Sequence, residues 1–147
     1  MWKRRFPLLL LLLTAPCLRS QEAPKPADQK PTVEYKIPPE AAKQPNPVKA
    51  SAASIAQGKK IYGYDCAMCH GAGGDGKGDL AGDMKLKLPD YRDPAALKDK
   101  TDGELFYVIK NGKGEMPSEG DRAKPDEIWN LVNYIRSLAK KDTGAKP

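Results

Sequence analysis

Cys66-Ala67-Met68-Cys69-His70 restricts this chain more than any other segment, because it gathers two of the three cysteines and the only histidine into five residues. On a helical turn, residues three apart share a face, so the two thiols point the same way and the imidazole follows directly. A thioredoxin-like redox pair calls for a βαβ context, and no such pattern surrounds this one. A zinc site wants four ligands, and beyond residue 20 only Cys66, Cys69 and His70 offer a thiol or an imidazole. A structural disulfide would leave the histidine without a task. C-x-x-C-H is instead the attachment pattern of a c-type haem. Cys66 and Cys69 are expected to add to the two vinyl groups of one porphyrin, with His70 beneath the iron as its proximal ligand.

An iron held by His70 has a sixth position, and with no second histidine the candidates are methionines. Met68 lies inside the attachment turn and cannot reach over the ring. Met84 sits among Asp83, Lys85 and Lys87, where an exposed or merely packed side chain is expected. Met116 ends the loop Asn111-Gly112-Lys113-Gly114-Glu115-Met116 and precedes Pro117, which holds its backbone extended and suits an inward-pointing side chain. Met116 is therefore the expected distal ligand, with Met84 as the alternative and ordinary core packing as the usual fate of either.

The N-terminus reads as an export signal over residues 1–20. Lys3, Arg4 and Arg5 precede an unbroken leucine run at 8–13, too short to span a bilayer. Cleavage before Gln21 is expected, and a lipid anchor on Cys17 is the rival outcome. The formal charge of +6 leaves largely with that segment, which holds four basic side chains and no acidic one. Residues 51–141 carry fifteen basic and fourteen acidic side chains, so no phosphate-binding stripe stands out and nucleic-acid binding is not expected. Residues 21–50 hold seven of the fourteen prolines and read as a flexible linker, and residues 142–147 as a disordered tail.

The ordered domain is expected over 51–141, short enough that a buried prosthetic group would help complete its core. A first helix is expected over 51–66, with Ile55, Lys59, Tyr62 and Cys66 at helical spacing. Thr101 and Glu104 make a capping-box signal ahead of Leu105, Val108 and Ile109, and Gly112 suits the helix stop. Pro125 opens a last helix with an apolar stripe through Ile128, Leu131, Val132, Ile135 and Leu138. These signals, with no strand alternation, make the domain all-α. Gly71-Ala72-Gly73-Gly74-Asp75-Gly76 fits a dinucleotide-binding spacing but follows no strand, and Asp75-Gly76-Lys77-Gly78-Asp79 lacks the ligands of a calcium loop. Both read as a mobile loop after the attachment turn.

Residues 51–141 resemble the class I mono-haem cytochromes c of bacteria. The likeness rests on four blocks: Gly58-Lys59-Lys60-Ile61-Tyr62 leading into the attachment turn and Gly71; Gly73-Gly74-Asp75-Gly76-Lys77-Gly78; Gly112-Lys113-Gly114-Glu115-Met116-Pro117; and Ile128-Trp129-Asn130-Leu131-Val132-Asn133-Tyr134-Ile135-Arg136. It implies a small fold of three to five helices around one covalent haem c with His70/Met116 ligation. It implies a close helix crossing in which Gly58 and Tyr62 meet Leu131 and Tyr134. A backbone carbonyl, with Pro89 as candidate, would orient the His70 ring. The implied function is transfer of single electrons between periplasmic or otherwise extracytoplasmic redox partners such as a dehydrogenase, an oxidase or another cytochrome. The chain is expected to be a monomeric carrier and not itself an enzyme. The alternatives are a five-coordinate haem protein that binds gas or reduces peroxide, and a cytochrome subunit of a larger oxidoreductase.

Overall fold

The computed structural model describes residues 35–139. Seven helices form there: α1 (Pro39–Ala42), α2 (Ala52–Asp65), α3 (Ala67–His70), α4 (Asp79–Asp83), α5 (Pro94–Leu97), α6 (Asp102–Asn111) and α7 (Pro125–Ala139). Among the described residues the only β-type pairing is an isolated bridge between Lys113 and Met116, so the fold is all-α as expected. The export signal, Cys17, the first part of the expected linker and the tail at 142–147 lie outside the described residues.

The stretch at 35–50, expected to be linker, is instead a strap held against the helices. Pro39 stands in the first turn of α1, where its missing N–H removes no helical bond. The Thr101 hydroxyl donates to the Ala42 carbonyl at 2.6 Å. Asn46 Nδ2 donates to Asn133 Oδ1 at 3.0 Å, and Asn133 Nδ2 donates to the Val48 carbonyl at 2.9 Å and to Ser54 Oγ at 2.7 Å. The prolines give this segment an extended path, but side chains of the helices take up its polar groups and Val48 packs on the core.

Three longer helices build that core. Ser51 caps α2 by accepting from the Ser54 N–H at 3.1 Å. The buried face of α2 runs through Ser54, Gly58 and Tyr62, one helical row, while Ile55 and Cys66 are half-buried and Lys59 is exposed. The expected stripe is thus rotated, and Gly58 is the reason. Helix α7 crosses there so closely that a Cβ on Gly58 would lie 2.0 Å from the Asn130 carbonyl oxygen and 2.8 Å from Tyr134 Cβ. Gly58 meets α7 at Asn130 and Tyr134, and Tyr62 and Tyr134 pair edge-on with ring centroids 5.1 Å apart.

The capping box of α6 forms in full: Thr101 Oγ1 accepts from Glu104 N–H at 3.1 Å, and Glu104 Oε2 accepts from Thr101 N–H at 2.7 Å. The helix ends at Gly112, which has φ 74°. Helix α7 buries all five residues of its expected stripe and also Trp129, Asn133 and Tyr134. Phe106 of α6 stacks on Trp129 with centroids 4.1 Å apart, and Leu131 and Val132 are fully enclosed. Arg136 ties the far end of α7 to the segment before α6, donating to Asp102 Oδ1 at 2.8 Å, to the Leu97 carbonyl at 2.8 Å and to the Lys100 carbonyl.

Candidate haem site

The attachment motif folds as anticipated, into a single turn directly after α2. Cys69 N–H and His70 N–H both donate to the Cys66 carbonyl, at 3.2 and 2.9 Å. Cys66 and Cys69 are half-buried free thiols, so no disulfide consumes them. Burial, with help from the nearby Glu119 and Asp65 carboxylates, pushes the Cys66 thiol up to about 12, which keeps it protonated near neutral pH. Among the described residues no group of three or more His, Cys, Asp or Glu side chains is placed to hold a metal ion.

His70 is buried and lies nearly parallel to the Tyr91 ring, with centroids 5.1 Å apart and planes inclined by 22°. Burial lowers its pKa, so the imidazole is neutral and keeps a lone pair for a metal. Its Nδ1 is sealed from solvent without a hydrogen-bond partner. No hydrogen bond joins Nδ1 to the carbonyl of Pro89, the candidate the resemblance offered. The Leu88 and Pro89 carbonyls lie instead over Gly76, where a Cβ would stand 2.6 and 2.9 Å from them.

The glycine-rich loop after the turn is pinned, contrary to the mobility expected of it. Gly76 N–H donates to the His70 carbonyl at 2.8 Å, Gly78 N–H to the Cys69 carbonyl at 3.0 Å, and Tyr91 N–H to the Gly74 carbonyl at 2.7 Å. The Tyr62 hydroxyl adds a bond to the Gly71 carbonyl at 3.0 Å. Only glycine can hold position 76, because it combines φ 73° with that close approach to two carbonyls. The loop thereby fixes the carbonyl side of the turn that carries Cys69 and His70.

The two candidate methionines, and Met68 of the attachment turn, separate by exposure. Met116 is half-buried and packs against the core, and its backbone is held by paired bonds with Lys113, both at 3.0 Å. Met84, the C-cap residue of α4, is 43% exposed, and Met68 is 61% exposed. Sequence reasoning missed Glu119, three residues beyond Met116, whose side chain is only 4% exposed. Arg122 pairs with Glu119 Oε1 and also lies 3.6 Å from Asp65, the residue before Cys66. The single sequence signal was an Arg three places after the Glu, a spacing that usually marks a solvated pair.

These residues fit a haem: two free thiols on one turn, a neutral imidazole with one nitrogen to spare, and a half-buried thioether against the core. The family described as "Cytochrome C oxidase, cbb3-type, subunit III" matches residues 53–135, more than half of the chain. Cytochrome c6 from Chlorolobion braunii is 33% identical over 93 residues, which cover 59% of this chain and 93% of that protein. The chloroplastic cytochrome c6 of Chlamydomonas reinhardtii is 33% identical over 91 residues, 58% of this chain and 55% of the relative, so the chain spans about half of that protein. A solved structure titled as the reducing HAO-like protein complex Kustc0457/Kustc0458 of Kuenenia stuttgartiensis is similar at a TM-score of 0.53 and 28% identity, covering 63% of this chain and 46% of that one. Among the described residues no helix is long and apolar enough to cross a membrane. With the attachment turn, the helical fold and these likenesses together, the chain belongs to the cytochrome c family that this description covers and is a small class I c-type cytochrome, a haem-based electron-transfer protein.

Proposed function

We propose that the chain carries single electrons on one covalent haem c, joined through thioethers to Cys66 and Cys69 and ligated by His70 and Met116. The observation that carries this reading is the attachment turn itself, with two free thiols and a buried neutral imidazole on one helical turn. When bound, the haem supplies the one-electron couple of its iron. The chain's residues do the rest. The glycine loop and Tyr91 hold the His70 ring in place, and a buried site limits water around the iron, which favours its less charged state. Half-burial of Met116 against the core supports it over the exposed Met84 as distal ligand. A full ligand set leaves the ligands unchanged between oxidation states, which suits a carrier docking transiently with redox proteins in an extracytoplasmic compartment.

The test is expression with a haem-attachment system in a bacterial periplasm, followed by absorption spectra of wild type and Met116→Ala. A covalent haem whose weak far-red sulfur-to-iron band vanishes in the variant is the expected result. A chain that acquires no haem refutes the proposal, and a band untouched by Met116→Ala transfers the ligand role to Met84. Loss of the band should also let the reduced variant bind carbon monoxide, as the wild type should not. A second reading, a cytochrome subunit of a larger oxidoreductase, is favoured by the matching family's description and by the complex that the Kuenenia chain belongs to. Its signature is co-purification with other subunits from native membranes or periplasm.

A further inference from the structure

Glu119 is the one buried acid of the described residues with an oxygen left over. Its Oε1 is held by Arg122, while Oε2 is enclosed without any partner. An ionised carboxylate half of which is desolvated and unbonded is costly to keep, and a proton on that oxygen removes the cost. The chain around it is firmly placed: Glu119 N–H donates to the Ile109 carbonyl at 3.0 Å, and its own carbonyl accepts from Arg122 and Ala123 at 3.0 and 2.9 Å. Arg122 reaches across to Asp65 at 3.6 Å and so brings the loop beside the end of α2, where the next residue is Cys66.

Resting on the haem reading above, the geometry points to Glu119 as a redox-linked proton site, protonated at Oε2 when the haem attached beside it at Cys66 gains an electron. The step balances simply. A one-electron donor protein reduces Fe(III) to Fe(II), a proton from solvent forms an O–H bond on Glu119, and oxidation by the acceptor returns both. The direction follows from charge: reduction removes one positive charge near the carboxylate, so its proton affinity rises. Burial raises the Glu119 pKa, opposed by the Arg122 hydrogen bond and charge and assisted by Asp65. The other groups facing it are few. Arg122 and, at the end of α2, Asp65 are the charged side chains beside it, and Cys66 as a thioether has no proton to lose. Lys110 of α6 lies against the neighbouring Gly120 with its side chain exposed.

The test is the haem-loaded protein's midpoint potential measured against pH for wild type and Glu119→Gln, with a redox-difference infrared spectrum of each. In the wild type, the reduced-to-oxidised ratio at a fixed electrode potential should fall as pH rises. The fall is limited to tenfold per pH unit, or 59 mV for a one-electron couple, between the two pKa values of Glu119. Glu119→Gln imitates the protonated acid, so it should sit at the wild type's low-pH limit at every pH and show no slope. Reduction should produce a protonated-carboxyl stretch in the wild type that is absent from Glu119→Gln. A flat wild-type potential, a slope that survives Glu119→Gln, or a wild-type spectrum without that stretch each overturns the proposal while leaving the haem reading intact. A chain that takes up no haem overturns both.

Discussion

A methyl group added at position 58 tests the helix crossing directly. Alanine is normally the better helix former by about 1 kcal/mol, so Gly58→Ala would stabilise an uncrowded α2. Here the new Cβ would lie 2.0 Å from the Asn130 carbonyl oxygen, 2.6 Å from its carbon and 2.8 Å from Tyr134 Cβ. The first two obstacles are backbone, so no rotamer change relieves them, and α2 and α7 must part by more than an ångström. Parting loosens the Tyr62–Tyr134 pair and the seam that encloses Leu131 and Val132. Overpacking of this kind costs about 3 kcal/mol, the upper end of its usual range. Against the propensity gain, the net loss is about 2 kcal/mol, or a Tm lower by roughly 8–10 °C. Gly63 on the same helix is the internal control, because nothing stands within 4 Å of a Cβ there. Gly63→Ala should raise Tm by a few degrees. Thermal unfolding of the haem-loaded proteins by circular dichroism decides the matter: both variants shifting in the same direction would refute the crowding argument.

Further expectations follow from other contacts. Asn133→Ala takes the Asn133 partner from the Ser54 hydroxyl and the Val48 carbonyl and one of its bonds from the Asn46 amide, and should lower stability by about 2 kcal/mol in urea titrations. Deleting 35–50 should produce a loss of similar size in the same titration, whereas a true linker would leave the midpoint unmoved. Thr101→Ala removes the α6 cap and the bond to Ala42, and should cost about 1–2 kcal/mol by thermal melt. Burial raises the Tyr91 hydroxyl from 10.0 to about 12. A phenol raised on folding contributes stability that is complete below the unfolded value and is lost as pH climbs toward the folded one. The urea midpoint should therefore decline between pH 10 and 12, and less steeply in Tyr91→Phe, which keeps the ring over His70 and has nothing to ionise.

Much of this architecture was legible because its signals are local. The Thr101–Glu104 box, Gly112 and Pro125 each act within one helical turn, and all three fall where the helices begin or end. The attachment turn was equally readable, since its chemistry is packed into five residues. What escaped reading depends on partners far away in sequence. Asn46 and Asn133 bond across 87 residues, and no periodicity in 35–50 announces that a polar side chain on α7 is waiting for it. On α2, side-chain hydropathy alone favoured Ile55, whereas the crossing is organised around the absent side chain at Gly58, which only the family resemblance had marked. Glu119 reads as one more surface acid until Ile109, Arg122 and Asp65 are seen to close around it.

The seam between α2 and α7 also sets a timetable. Its first half, α2, precedes the attachment turn in the chain, and its second half, α7, begins at Pro125, well after it. Leu138 is the residue that closes over Gly74 in the loop pinned to Cys69 and His70. At about 5–20 residues per second, α7 follows the attachment turn by several seconds of synthesis. Closure across such a separation is in any case among the slower steps available to a small domain. Through that interval the two thiols and the imidazole stand on an unfinished surface, and a helix made well after them is the one that shuts the door.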